Sequence, residues 1–134
     1  MDAAKGARRH LILTLGVQMS LGSQISSFCN DITKSNLFWT IQFKDGSFIK
    51  WYNEDESETL PLWSSESRVK KAIKVESEFK GASPVSITFE KFLSEWLPDL
   101  IENAITIGPN WSGENLSGTS FEATELIERI KNTK

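Results

Sequence analysis

Leu37-Phe38-Trp39-Thr40-Ile41-Gln42-Phe43, then Lys44-Asp45-Gly46, then Ser47-Phe48-Ile49-Lys50-Trp51-Tyr52-Asn53 is the stretch that decides the fold class. Both flanking runs are rich in β-branched and aromatic residues, and Asp-Gly between two such runs is a strong short-range hairpin signal. In the first run Leu37, Trp39, Ile41 and Phe43 alternate with Phe38, Thr40 and Gln42. Successive side chains of a strand point to opposite faces, so the first, wholly apolar set is the expected core face. The second run carries apolar residues on both faces.

On the N-terminal side, Ile25, Phe28, Cys29 and Ile32 recur at i, i+3, i+4 and i+7, which predicts an amphipathic helix over residues 23–36. Ser20 or Ser23 is the expected cap, and Ser35-Asn36 the expected end. On the C-terminal side, Glu54-Asp55-Glu56-Ser57-Glu58 reads as a solvated loop. Leu60-Pro61-Leu62-Trp63 reads as an edge strand or strand entry, because proline cannot donate to a ladder. Ser64 or Ser65 then caps a helix over residues 65–75 with Val69, Ala72 and Ile73 on its apolar face. Residues 80–84 read as a turn and 85–89 as a strand. Phe89, Phe92, Leu93, Trp96, Leu97 and Leu100 form the strongest helical periodicity in the chain, with a kink or break expected where Pro98 falls inside it. Ile105-Thr106-Ile107 is a short strand, Phe121 extends another, and Ser120 caps a final helix that buries Leu126, Ile127 and Ile130. This order predicts a single α+β domain, with a small, mostly antiparallel sheet, an N-terminal helix and three further helices.

The chain has 134 residues with 15 Lys and Arg against 18 Asp and Glu, a net charge of −3, so it has room for one core. Residues 1–18 hold Lys5, Arg8 and Arg9 against Asp2, which leaves 12 basic and 17 acidic residues in the remainder. An acidic body disfavours a phosphate-backbone binder and suits a basic partner. Cys29 is the one cysteine and His10 the one histidine, so an internal disulfide is impossible and a zinc site of thiolates and imidazoles cannot be assembled within the chain. No cofactor is expected. No run of 18 apolar residues exists, so no membrane helix is expected. The basic segment before Leu11 is followed by only seven apolar residues, ended by Gln18, with no small-residue cleavage site. Residues 1–18 therefore read as an upstream-start or non-native extension of a domain spanning residues 19–134, and the expected location is the cytoplasm.

Phe38-Trp39-Thr40-Ile41, Leu60-Pro61-Leu62-Trp63-Ser64-Ser65, Phe92-Leu93-Ser94-Glu95-Trp96-Leu97-Pro98 and Asn110-Trp111-Ser112-Gly113 occur in that order. Together they make residues 20–131 resemble a small bacterial family known as domain of unknown function 2750. The resemblance implies a bacterial, cytoplasmic protein with a compact α+β fold. It implies no activity and no site residues.

Asn110-Trp111-Ser112-Gly113 has two readings. Asn and Ser can bond to local backbone in a turn, Gly can adopt positive φ, and Trp can anchor the loop to the core. Alternatively Trp111 floors a pocket or contact patch, since Trp offers a large apolar face and one donor. The candidate binding surface is Trp51, Trp63, Asn110, Trp111 and Ser112, with the acidic Glu54, Asp55 and Glu56. Trp39, Trp51, Trp63 and Trp96 each read first as core or half-buried packing residues, and binding is favoured if Trp51, Trp63 and Trp111 share one exposed surface. Arg68, Lys70, Lys71 and Lys74 read as a solvated basic helix face; without interleaved stacking aromatics they do not point to nucleic acid. The sequons at Asn110 and Asn115 read as chance matches. Glu90 and Glu95 do not share a helical face well, His10 lies outside the expected fold, and no nucleotide-binding glycine motif is present, so catalysis is not expected. The expected function is a non-catalytic protein-binding module, with a toxin-neutralising, immunity-type protein as its leading specific form. The alternatives are a small-molecule-binding domain or enzyme with a pocket near Trp63 and Trp111, and a homodimer through its own apolar patch.

Overall fold

The computed structural model describes residues 15–112 and 118–133. Helix α1 (Leu15–Ser35) begins before Met19 and passes through Ser20 and Ser23, so neither serine caps it. Ile25, Phe28, Cys29 and Ile32 are all buried, as their spacing requires. Its end is set by Asn36, which adopts φ of 61° and returns its N–H to the Ile32 carbonyl at 2.7 Å. Asparagine is one of the few residues besides glycine that tolerates this left-handed closing position.

Strand β1 (Leu37–Gln42) pairs antiparallel with β4 (Ser83–Thr88), Leu37 opposite Thr88 and Gln42 opposite Ser83. Between them in sequence lie β2 (Trp51–Tyr52), β3 (Glu58–Leu62) and helix α2 (Glu66–Val75). Strand β2 pairs antiparallel with β3, and β3 pairs parallel with β5 (Thr106–Pro109). The strands thus form two small sheets rather than one, and one of the three pairings is parallel. A bridge between Trp39 and Trp63, with N···O distances of 2.8 and 2.7 Å, joins them. The Asp45-Gly46 turn forms as expected, but its second arm pairs with β1 only through Phe48 opposite Gln42 and the Ile49 N–H to Ile41. The hairpin arm and then Trp63 lie along one edge of β1, and β4 pairs along the other.

The core face expected for β1 is reversed in emphasis. Phe38 and Thr40 are fully buried, whereas Leu37, Trp39 and Phe43 are half-buried and only Ile41 of the expected set is fully enclosed. Both faces of the strand are covered. Phe38 meets Phe28 of α1 and Phe89 and Phe92 beyond β4, at centroid distances of 6.1, 5.8 and 4.5 Å. On the other face Phe43 packs on Phe79, at 6.0 Å, and α2 contacts both β1 and β4. Thr40 is buried without penalty because its hydroxyl donates to the Pro61 carbonyl at 3.1 Å.

Pro61 lies in the middle strand of its sheet rather than at an edge. Thr59 is paired with Trp51 and Trp63 with Trp39. Pro61 falls between these two partners, where no strand asks for its missing N–H.

Thr88 caps the next helix by accepting from the Lys91 N–H at 3.1 Å, so β4 ends one residue before Phe89 instead of including it. The helix runs without a break through α3 (Phe89–Lys91), a π turn (Phe92–Trp96) and α4 (Leu97–Glu102). Pro98 does not break it. The π turn sends the Leu97 N–H back to the Phe92 carbonyl, and Pro98 then sits in the opening turn of α4, where an N–H is not required. Helix α5 (Ala123–Thr133) buries Ala123, Leu126, Ile127 and Ile130. It starts two residues later than a cap at Ser120 allows, because Phe121 is held in a bridge to Ile107. Among the described residues no helix is long and apolar enough to cross a membrane. The chain is an α+β protein.

Candidate functional site

Asn110 closes β5 with φ of 52° and donates its N–H to the Leu62 carbonyl at 2.8 Å. Its side chain reaches across to Ser64. Oδ1 accepts from the Ser64 N–H at 2.9 Å and Nδ2 donates to Ser64 Oγ at 3.0 Å. Ser64 Oγ in turn donates to Asp31 Oδ2 of α1 at 2.7 Å. Trp63 Nε1 donates to the Trp111 carbonyl, and Trp111 Nε1 to the Thr119 carbonyl, each at 2.8 Å. Leu62-Trp63-Ser64 and Asn110-Trp111 therefore form one cross-linked unit. Most buried polar groups are satisfied in this way, since each orphaned partner costs about 1–3 kcal/mol.

The Trp111 indole fills a slot made by two glycines. A methyl group at Gly108 or at Gly118 would overlap the ring. Trp51 closes the remaining side edge-on, its centroid 5.0 Å from that of Trp111 at an interplanar angle of 83°. Trp51, Trp63 and Trp111 are 1%, 1% and 0% exposed, and Asn110 is 1% exposed. Four of the eight candidate surface residues are thus brought together, but as core. They offer no aromatic face to a ligand. Gly113 and the sequon at Asn115 lie outside the described residues, as does His10.

Glu54, Asp55 and Glu56 are exposed and stand apart, in the turn leading into β3, while Trp63 follows that strand's far end. Asp55 Oδ1 accepts from the Ser57 N–H at 3.0 Å and from Ser57 Oγ at 2.6 Å. Asp45 binds Ser47 in the same manner, at 2.9 and 2.6 Å. In both turns the serine's hydroxyl and N–H hold the carboxyl below the usual carboxylate range. These acidic residues thus shape two matching turns.

A groove of about 930 Å³ lies between α2 and the segment 110–112, where the sequence points to a pocket near Trp63 and Trp111. Arg68, Lys71 and Val75 recur on α2 at i, i+3 and i+7, which aligns them along one stripe facing the groove, flanked by Lys70 and Lys74. Ser112 forms the opposite rim, and Ala72, Trp63 and Trp111 lie beneath. Arg68 Nε is 3.8 Å from Asp31 Oδ2 and Lys70 Nζ is 3.1 Å from Glu66 Oε2, both largely exposed pairs that contribute little. Lys71 and Lys74 make no ion pair among the described residues. The basic stripe is visible in the sequence, but only the fold sets segment 110–112 across from it.

Among the described residues no three His, Cys, Asp or Glu cluster as metal ligands do. Burial pushes the Cys29 thiol up, against smaller opposing contributions from Thr133 and Arg129, which keeps it a packing residue and not a thiolate. Ser64 is buried, and its hydroxyl is engaged by both Asp31 and Asn110.

No curated protein matches this chain. Residues 25–130, which contain the core, the cross-linked tryptophan unit and α2, match the family described as Protein of unknown function (DUF2750), and the chain belongs to that family.

Proposed function

We propose that this protein is a binding module that holds another protein in the groove between α2 and residues 110–112. The observation that carries this reading is the concentration of Arg68, Lys70, Lys71 and Lys74 on one concave surface of a chain whose net charge is −3. Lysines without counter-charges repel one another and gain from an incoming partner. The aromatic pocket considered from the sequence is disfavoured as a ligand site, because Trp63 and Trp111 are closed off beneath the groove. With the indoles serving as a rigid floor, recognition falls to the side chains of α2. The acidic turn at Glu54–Glu56 lies at the other end of β3, so the basic partner expected from overall charge gives way to a partner that meets the cationic groove.

The test is a cross-linked pulldown from the native host, comparing wild type with Lys71→Glu/Lys74→Glu. Both positions are exposed, so the variant is expected to melt within a few degrees of wild type. A stoichiometric partner retained by wild type and lost by the variant supports the reading. Equal recovery by both places the contact surface elsewhere.

A further inference from the structure

The chemistry of the groove narrows what enters it. We propose that its occupant is a short, extended, acidic segment of a partner protein that carries an apolar side chain next to its carboxylates. This inference rests on the binding-module reading and deepens it.

Three observations lead there. First, the cations are strung out, not convergent. Arg68 to Val75 spans about 10 Å of helix at 1.5 Å per residue, with Lys71 midway and Lys74 beside it. A phosphate or single carboxylate is best held by a guanidinium fork or by several donors aimed at one point. Here the one arginine is already turned toward Asp31, at 3.8 Å, and the lysines are separate point charges. That spacing matches carboxylates repeated along a peptide. Second, Val75 is 43% exposed at the end of the stripe, one of two large hydrophobic residues so exposed among the described residues, and Ala72 lies beside it in the groove lining. An apolar side chain seated there is shielded from water while its acidic neighbours meet Lys71 and Lys74. Third, long polyanions are poorly served. Trp63 and Trp111 present no face for a base to stack on, and the body's net negative charge repels a nucleic acid beyond the few residues that touch the groove. A short segment experiences the local cations and little of the opposing field.

The test is selection from a random dodecapeptide display library on the full-length protein, repeated with Lys71→Glu/Lys74→Glu and with Val75→Asp. The expected result is enrichment of Asp and Glu around one apolar residue. Binding of the selected peptides, measured by fluorescence anisotropy, weakens as salt rises and falls at least about tenfold in the charge-reversed variant. Val75→Asp is expected to select against the apolar position. Recovery of uncharged or basic peptides that nonetheless lose binding in the α2 variants overturns the acidic occupant while leaving the groove as a binding site. Identical acidic peptides from wild type and both variants, or no enrichment at all, overturn both readings. A circular dichroism melt of each variant confirms that the comparison is between folded proteins.

Discussion

Glu56 occupies the left-handed position, φ of 70°, that Gly46 fills at φ of 90° in the matching turn. The two turns share their remaining chemistry. Phe43 and Asn53 each donate to a serine carbonyl, at 2.8 and 2.9 Å, and Asp45 and Asp55 each grip the serine. A side chain in the left-handed region costs about 1–2 kcal/mol, while glycine gives back part of that in unfolded-chain entropy. Glu56→Gly is therefore expected to stabilise the protein by about 0.5–1 kcal/mol, read from urea denaturation. The paired carboxylates also predict the acid response. Their folded-state values lie below the ordinary Asp value of 3.8 because of the serine hydrogen bonds, so their stabilising effect is complete above that value. It is lost as pH falls through the lowered, folded-state values. Asp45→Asn/Asp55→Asn should melt below wild type near neutral pH, and the two melting temperatures should converge in strong acid. A constant gap down to the lowest pH would show that the charges do not contribute.

At the level of elements, the helix spanning α3, the π turn and α4 shows how a proline is accommodated within a strongly periodic segment. In a regular helix interior proline costs about 3 kcal/mol, because it removes one bond and clashes with the preceding turn. Here the Leu97-to-Phe92 bond has already shifted the register just before Pro98. Pro98→Ala is thus expected to change stability by less than about 1 kcal/mol, whereas Ser94→Pro, placed inside the π turn, should cost about 3 kcal/mol or more. Comparable losses for the two would show that Pro98 is not in a capping position. The element that the sequence read least well is β3. Its Pro61 made it look peripheral, yet it is the strand on which β2, β5 and β1 converge.

Across the whole molecule, the Asp31–Ser64–Asn110 chain of hydrogen bonds ties α1, the end of β3 and the end of β5 together. Ser64→Ala leaves Asn110 Nδ2 and Asp31 short of a partner, and a loss of about 1–3 kcal/mol is expected. In a urea titration the midpoint should fall with the slope unchanged, since the surface exposed on unfolding stays the same. The sequence by itself determined most of the elements and their kind, though not all of their bounds. The spacing of Ile25, Phe28, Cys29 and Ile32, the Ser65 cap of α2 and the Asp45-Gly46 turn are local signals that depend on neighbours within a turn or two. The same is true of the α+β class and the family resemblance. Only the tertiary structure decided which faces became core and which residues met. Trp51, Trp63 and Trp111 carry the same residue type as a binding patch, and they became scaffold because Gly108 and Gly118 leave a slot for the Trp111 indole, against which Trp51 packs and to whose carbonyl Trp63 donates. The groove likewise required β3 and β5 to pair in parallel, so that Ser64 and Asn110, 46 positions apart, could bond and set segment 110–112 opposite α2. The free energy of such contacts depends on distance in space, which strand pairing sets and sequence spacing alone does not encode.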